Sequence, residues 1–133
     1  MPRSIRSARE PVTVIAELRF DPAHRETMLE LAQRHVRNTL AAEPGCLRFE
    51  LVAPKDDPGS LMFYELFESE AAFATHREAA HSLWFRETRA PYVREGTVRE
   101  CRPIGAISPG VVLCCVPALA NHREYLAPLV EAG

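Results

Sequence analysis

The chain has 133 residues, 47% of them apolar and 26% charged, with a formal net charge of −2. That length supports one domain with a modest core, and the near-neutral charge argues against a general nucleic-acid binder or a polybasic membrane-surface protein. The longest apolar run, residues 111–116, is far short of the ~20 residues a helical membrane span requires.

Residues 1–10 carry Arg3, Arg6 and Arg9 without periodicity and are expected to form a flexible tail. No apolar leader follows them, so no signal peptide is expected. Residues 12–20 read as a strand, with apolar residues at every even position. Asp21-Pro22 is a helix-start signal, an acceptor side chain before a proline whose missing N–H is unneeded there. The helix is expected to run to about Ala42, burying Leu29, Ala32, Val36 and Leu40 with Met28 beside them. Pro44-Gly45 stops it.

Residues 47–51 alternate as a second strand, and residues 54–59 form a turn-rich loop. A third strand, residues 61–68, completes a hairpin. Ser69 caps a helix carrying Phe73 and His76, and a further helical segment spans residues 82–90. Residues 96–102 make a fourth strand. The order β-α-β-β-α-β specifies an α+β, ferredoxin-like domain with an antiparallel sheet over residues 11–103. Residues 104–133 are a C-terminal extension. At an offset of 98 positions, His122-Arg123-Glu124 repeats His24-Arg25-Glu26, so the extension could be a truncated second βα unit. Its apolar run, residues 111–116, is expected to pack on the chain or on a neighbour.

Four cysteines, Cys46, Cys101, Cys114 and Cys115, match no CxxC or zinc-ribbon spacing. Reduced thiols and a cytoplasmic location are expected. His76 and His81 are the most conspicuous titratable pair. On one continuous helix a five-residue step separates them by about 140°, so no metal site is expected there; a break near Ala79-Ala80 would let the pair converge. Each reads first as a surface or capping histidine; the alternative is a general base or hydrogen-bond donor beside an aromatic substrate, since histidine titrates near neutrality. Glu65 shares a strand face with Leu61, Phe63 and Phe67. Apolar surroundings would raise its pKa and suit it to proton transfer, although pairing with an arginine at a dimer surface is the reading that comes first. Tyr64 is a polar handle on the opposite face. Phe49, Phe63, Phe67, Phe73 and Trp84 are core or the walls of an aromatic pocket. Cys46 has no adjacent base in the sequence. No phosphate loop, dinucleotide fingerprint, nucleophile elbow or calcium loop is present.

The run Glu43-Pro44-Gly45-Cys46-Leu47-Arg48-Phe49-Glu50, followed by Tyr64-Glu65-Leu66-Phe67-Glu68-Ser69, Phe73, His76 and His81, resembles the antibiotic biosynthesis monooxygenase-like family of small dimeric α+β proteins. The resemblance implies that the sheet's uncovered face meets a second copy, closing a dimeric α+β barrel. It also implies a cofactor-independent monooxygenase that oxidises a small apolar phenol or quinol with O2. His76, His81 and Glu65 would be base candidates, and Trp84, Phe67, Phe49, Phe63 and Phe73 the substrate-binding walls. Haem-degrading relatives fit poorly, since Phe67 stands where they hold tryptophan and residues 12–20 lack asparagine. A phosphate-handling isomerase would need anion ligands, for which Arg19 or Arg48 is available but no arginine cluster is evident. A non-catalytic ligand-binding dimer is the remaining alternative.

Overall fold

The computed structural model describes residues 10–105. The expectations for the N-terminal tail and for the extension beyond residue 105 lie outside the described residues. Among the described residues there are four strands: β1 (Val12–Phe20), β2 (Cys46–Val52), β3 (Ser60–Phe67) and β4 (Val93–Cys101). Three α-helices accompany them: α1 (Arg25–Ala42), α2 (Glu70–Glu78) and α3 (Ala80–Arg89). The sheet is antiparallel in the order β2-β3-β1-β4, so β1 and β2 flank β3 and are joined through α1. This is the ferredoxin-like arrangement expected from the chain order.

Each element starts where the sequence supplies a cap. Asp21 accepts from the Ala23 amide at 3.0 Å, and Pro22 opens a short 3-10 turn (Pro22–His24) that leads into α1. Ser69 accepts from the Ala72 amide at 3.1 Å and starts α2. Both bonds satisfy amides that no helical carbonyl can reach. Gly45 is required by proximity, because a Cβ there would lie 2.8 Å from the Ala72 Cβ.

The core lies between the sheet and its helices. Val12, Val14, Ala16, Leu18 and Phe20 of β1 face it, with Leu61, Phe63 and Phe67 of β3, and Cys46 and Phe49 of β2. A bulge between Cys46 and Arg48 lets both Cys46 and Phe49 point inward.

Three expectations need correction. In α1, Met28 and Ala32 are buried as expected and Leu29 and Val36 pack partly buried against the core, but Leu40 is half exposed and His35 and Thr39 are buried instead. The helix is rotated toward its small and polar residues because it packs against α3 and β2, where His35 meets Phe49, Phe63 and Phe85. The helical segment expected at 82–90 starts at Ala80, since Ala79 interrupts the helical run with φ −62°, ψ 143°. β4 starts at Val93, pairing with Phe20 across an irregularity in β1. Its polar sequence hides this, because pairing supplies backbone bonds without regard to side chains.

Phe20 and Gly59 test how the hairpin closes on β1. The Phe20 amide donates to the Gly59 carbonyl at 2.9 Å, and a Cβ on Gly59 would sit 2.6 Å from the Phe20 carbonyl oxygen. Backbone cannot yield as a flexible side chain can. Gly59→Ala is therefore expected to lower stability by about 1–3 kcal/mol, measured by thermal or urea denaturation. An unchanged midpoint would contradict the close approach.

Candidate functional site

The break at Ala79 builds the site. Its peptide caps both helices: the Ala79 amide donates to the His76 carbonyl, and its own carbonyl accepts from Ser82 and Leu83. α3 leaves in a new direction and carries His81 back toward His76. Both rings then reach one carboxylate. His76 Nδ1 lies 2.9 Å from Glu43 Oε2, and His81 Nε2 lies 2.5 Å from the same atom. Glu43 is fixed from its own side as the residue that ends α1. Its amide donates to Thr39, and its carbonyl accepts from Cys46.

A carboxylate can only accept, so a proton on His76 Nδ1 and one on His81 Nε2 satisfy this geometry. His76 Nε2 is then a lone pair, 4.0 Å from Glu65 Oε1. Glu65 is buried and has no arginine partner among the described ion pairs. Burial, helped by repulsion from Glu43, pushes its pKa from an ordinary value near 4.5 to about 8. Burial also lowers His76, against the opposing pull of its bond to Glu43. His35 drops to about 3, by burial first and then by repulsion from His76 and His81. Cys46 rises to about 12 by burial, so its thiolate is disfavoured.

A cavity of about 240 Å³ opens beside this cluster. Val14, Ala16 and Leu18 form its floor, Phe63, Phe73 and Phe85 its aromatic walls, and Gly96, Thr97 and Val98 one side. His35, Glu65, His76 and Ser82 supply polar groups, with Arg77, Arg86 and Arg89 among the lining residues. His35 Nδ1, Glu65 Oε1, Ser82 Oγ and Arg89 Nε are buried there without a hydrogen-bond partner.

The sequence candidates divide accordingly. His76, Glu65, Phe63 and Phe73 line the cavity. Phe49 and Phe67 stand behind it as core, each within 5.5 Å of the His76 ring centre. Trp84 does not line this cavity. It shares a shallow groove with His81, Arg34 and Asn38, and the Arg34 guanidinium sits over its ring. Its helical position turns it away from the sheet, while Phe85 turns inward. Sequence reasoning missed Glu43, His35 and the arginines. One signal was legible: Ser82, Phe85, Arg86 and Arg89 recur at steps of three, one and three, a single helical face.

The expectation of no metal rested on one continuous helix, and the break removes that reason. Donor atoms of Glu43, His76 and His81 lie within 4.8 Å of one another, and two imidazoles with a carboxylate is a donor set that zinc and iron(II) use. In this structure those atoms bond to each other.

A model of the family described as antibiotic biosynthesis monooxygenase matches residues 11–88. An uncharacterized protein of Synechocystis sp. is 23% identical over 83 residues, 62% of this chain. The match spans 56% of that relative's length. Among solved structures, a protein from Mycobacterium tuberculosis is similar at 29% identity and a TM-score of 0.68, over 74% of this chain and 99% of that one. A crystal structure of an antibiotic biosynthesis monooxygenase gives 28% identity and 0.66, over 70% and 98%. A protein from Nitrosomonas europaea shares the fold at 24% identity and 0.68, over 71% and 91%.

The buried ionisable groups bind stability to pH with opposite signs. Folded Glu65 holds its proton to about pH 8, whereas the unfolded residue loses it near 4.5. Its contribution is therefore complete below about 4.5 and is lost as pH rises through 8. His35 is neutral when folded down to about pH 3, so its contribution is present above about 6.5 and lost as pH falls toward 3. Glu65→Gln is expected to flatten the alkaline limb by a few kcal/mol at most and leave the acid limb in place. Melting temperatures from pH 4 to 9 check this, and an unaltered alkaline limb would refute the assignment.

Proposed function

The chain belongs to the antibiotic biosynthesis monooxygenase family, and on that premise we propose that it oxidises a small phenolic or quinol aromatic with O2, using no cofactor. One observation carries this reading: Glu43 holds His76 by Nδ1, leaving Nε2 as an acceptor beside an aromatic-walled cavity. His76 is the base. It takes the phenolic proton through Nε2, and the Glu43 carboxylate stabilises the imidazolium that forms. Glu65, protonated at neutral pH, is the hydrogen-bond donor that orients the substrate oxygen. His81 holds Glu43 in place from the other side.

The chemistry balances without a further redox partner. The phenolate gives one electron to O2, and the phenoxyl radical and superoxide couple at a ring carbon. His76 returns its proton to the peroxide. It then removes the proton from that carbon as the O–O bond breaks, and hydroxide departs with a proton as water. Phenol and O2 give quinone and water. The dry walls of Phe63, Phe73 and Phe85 keep the ionised intermediates from bulk water.

The same reading has two copies meeting through the sheet face that bears no helix. Ile15, Met62, Tyr64 and Val52 stand on it, with Tyr64 and Val52 each more than 40% exposed. No helix among the described residues is long and apolar enough to cross a membrane.

Oxygen uptake with a panel of naphthols and quinols, with and without EDTA, tests the reaction. His76→Ala is expected to lower kcat at least about a hundredfold, and Glu43→Gln to act in the same direction by loosening the ring's orientation. EDTA is expected to have no effect. Unchanged rates in both variants, or activity abolished by EDTA, would overturn the proposal. For assembly, sedimentation velocity is expected to show a dimer that Ile15→Glu dissociates while the circular-dichroism spectrum persists. A monomeric wild-type protein would refute the interface.

A further inference from the structure

Three guanidiniums border the cavity, and among the described residues none has a carboxylate partner. Arg77 sits 4.9 Å from the Phe73 ring centre and Arg89 5.2 Å from that of Phe85, while Arg86 donates to the Arg77 carbonyl. Arg89 Nε is buried without a partner. Some guanidiniums elsewhere on the described surface find acids, Arg19 with Asp57, Arg94 with Asp21 and Arg102 with Glu10, while Arg25 donates to the Pro58 carbonyl and Arg34 sits over Trp84. The one acidic residue lining the cavity is Glu65.

We propose that the cavity, read as the substrate site above, selects an aromatic ligand that carries its own anion, a carboxylate held by Arg86 and Arg89. A cavity with these residues as walls offers apolar surface and guanidinium groups together. Val14, Leu18, Phe63 and Phe85 suit a flat ring, and the arginine fork matches a planar carboxylate in two-point fashion. Glu65 does not neutralise those guanidiniums, because burial keeps its proton on at neutral pH. The orphaned Arg89 Nε and Ser82 Oγ gain partners when such a ligand enters, which offsets the cost of burying them unpaired. The volume, about 240 Å³, lies at or below the small end of the usual ligand range of roughly 300–1,000 Å³. One or two fused rings fit that scale better than an extended polycycle. The apolar walls distinguish this ligand from a small phosphorylated sugar, whose hydroxyls would meet no partners on Phe63, Phe73 or Val14.

Isothermal titration of the full-length protein under nitrogen separates binding from turnover, so this inference can fail while the oxygenase reading stands, and the reverse. The probes are 2-naphthoate, its neutral isostere 2-naphthamide, and inorganic phosphate. Naphthoate is expected to bind at least about tenfold tighter than naphthamide. That ratio is expected to collapse in Arg86→Gln and Arg89→Gln, to survive in part in Arg86→Lys, and to shrink with added salt in the wild-type protein. The salt series keeps the test decisive if Arg89→Gln fails to fold. Equal affinity for naphthoate and naphthamide would overturn the proposal. So would a ratio that neither the folded Arg86→Gln variant nor salt alters, or tight phosphate binding with no naphthoate binding.

Discussion

One carboxylate oxygen organises the site. Glu43 Oε2 receives both His76 and His81, so the end of one helix and two consecutive helices further along the chain converge on a single atom. The end of α1 supplies the carboxylate, the end of α2 one ring and the start of α3 the other. Every part of that convergence depends on backbone. Glu43 is held by its amide and its carbonyl, and the two histidines meet only because Ala79 adopts an extended conformation between the helices. On an unbroken helix the rings would diverge, and Glu43 could hold one of them at most.

Around that point the protein places polar atoms where a core would ordinarily place hydrocarbon. His35, Glu65, His76 and Ser82 are all buried, and several of their atoms lack partners. An unpaired buried polar group costs about 1–3 kcal/mol, so such a cluster is a poor way to stabilise a small domain. The surroundings limit the cost by discharging the groups. Burial keeps a proton on Glu65 and keeps one off His35, leaving formal charge to the arginines at the cavity's border and to Glu43 where it is hydrogen-bonded. An apolar wall here is an electrostatic device as well as a packing surface, because it sets which protonation state each neighbour can hold.

The fold was legible in the sequence because its signals are local. Alternation in β1 and β2, the Asp21-Pro22 and Ser69 caps, and the Pro44-Gly45 stop each act within a few residues, and the structure has a strand, a cap or a helix end at each of them. The site was legible only in part. Glu65 and His76 stood out because their residue types are unusual on an apolar face. Glu43 did not, since a glutamate before Pro-Gly at a helix end reads as solvated surface. The buried face of α1 was misread in part, for a related reason. Met28, Ala32, Leu29 and Val36 meet the core as their hydrophobicity suggests, but Leu40 does not, and the aromatic cluster on β2 and β3 takes His35 instead. Trp84 and Phe85 are adjacent and both aromatic, and hydrophobicity alone does not say which one turns inward.

The sequence by itself determined the type and order of the strands and helices, though not where α3 and β4 begin, because propensity, capping and periodicity are properties of neighbouring residues. Only the tertiary structure decided which oxygen the two histidines share, which phenylalanines wall the cavity, and that Arg77, Arg86 and Arg89 gather at its border. Those outcomes follow from the angle at Ala79 and the rotation of α1 against the sheet. Both are fixed by packing between segments far apart in the chain, where no local pattern records them.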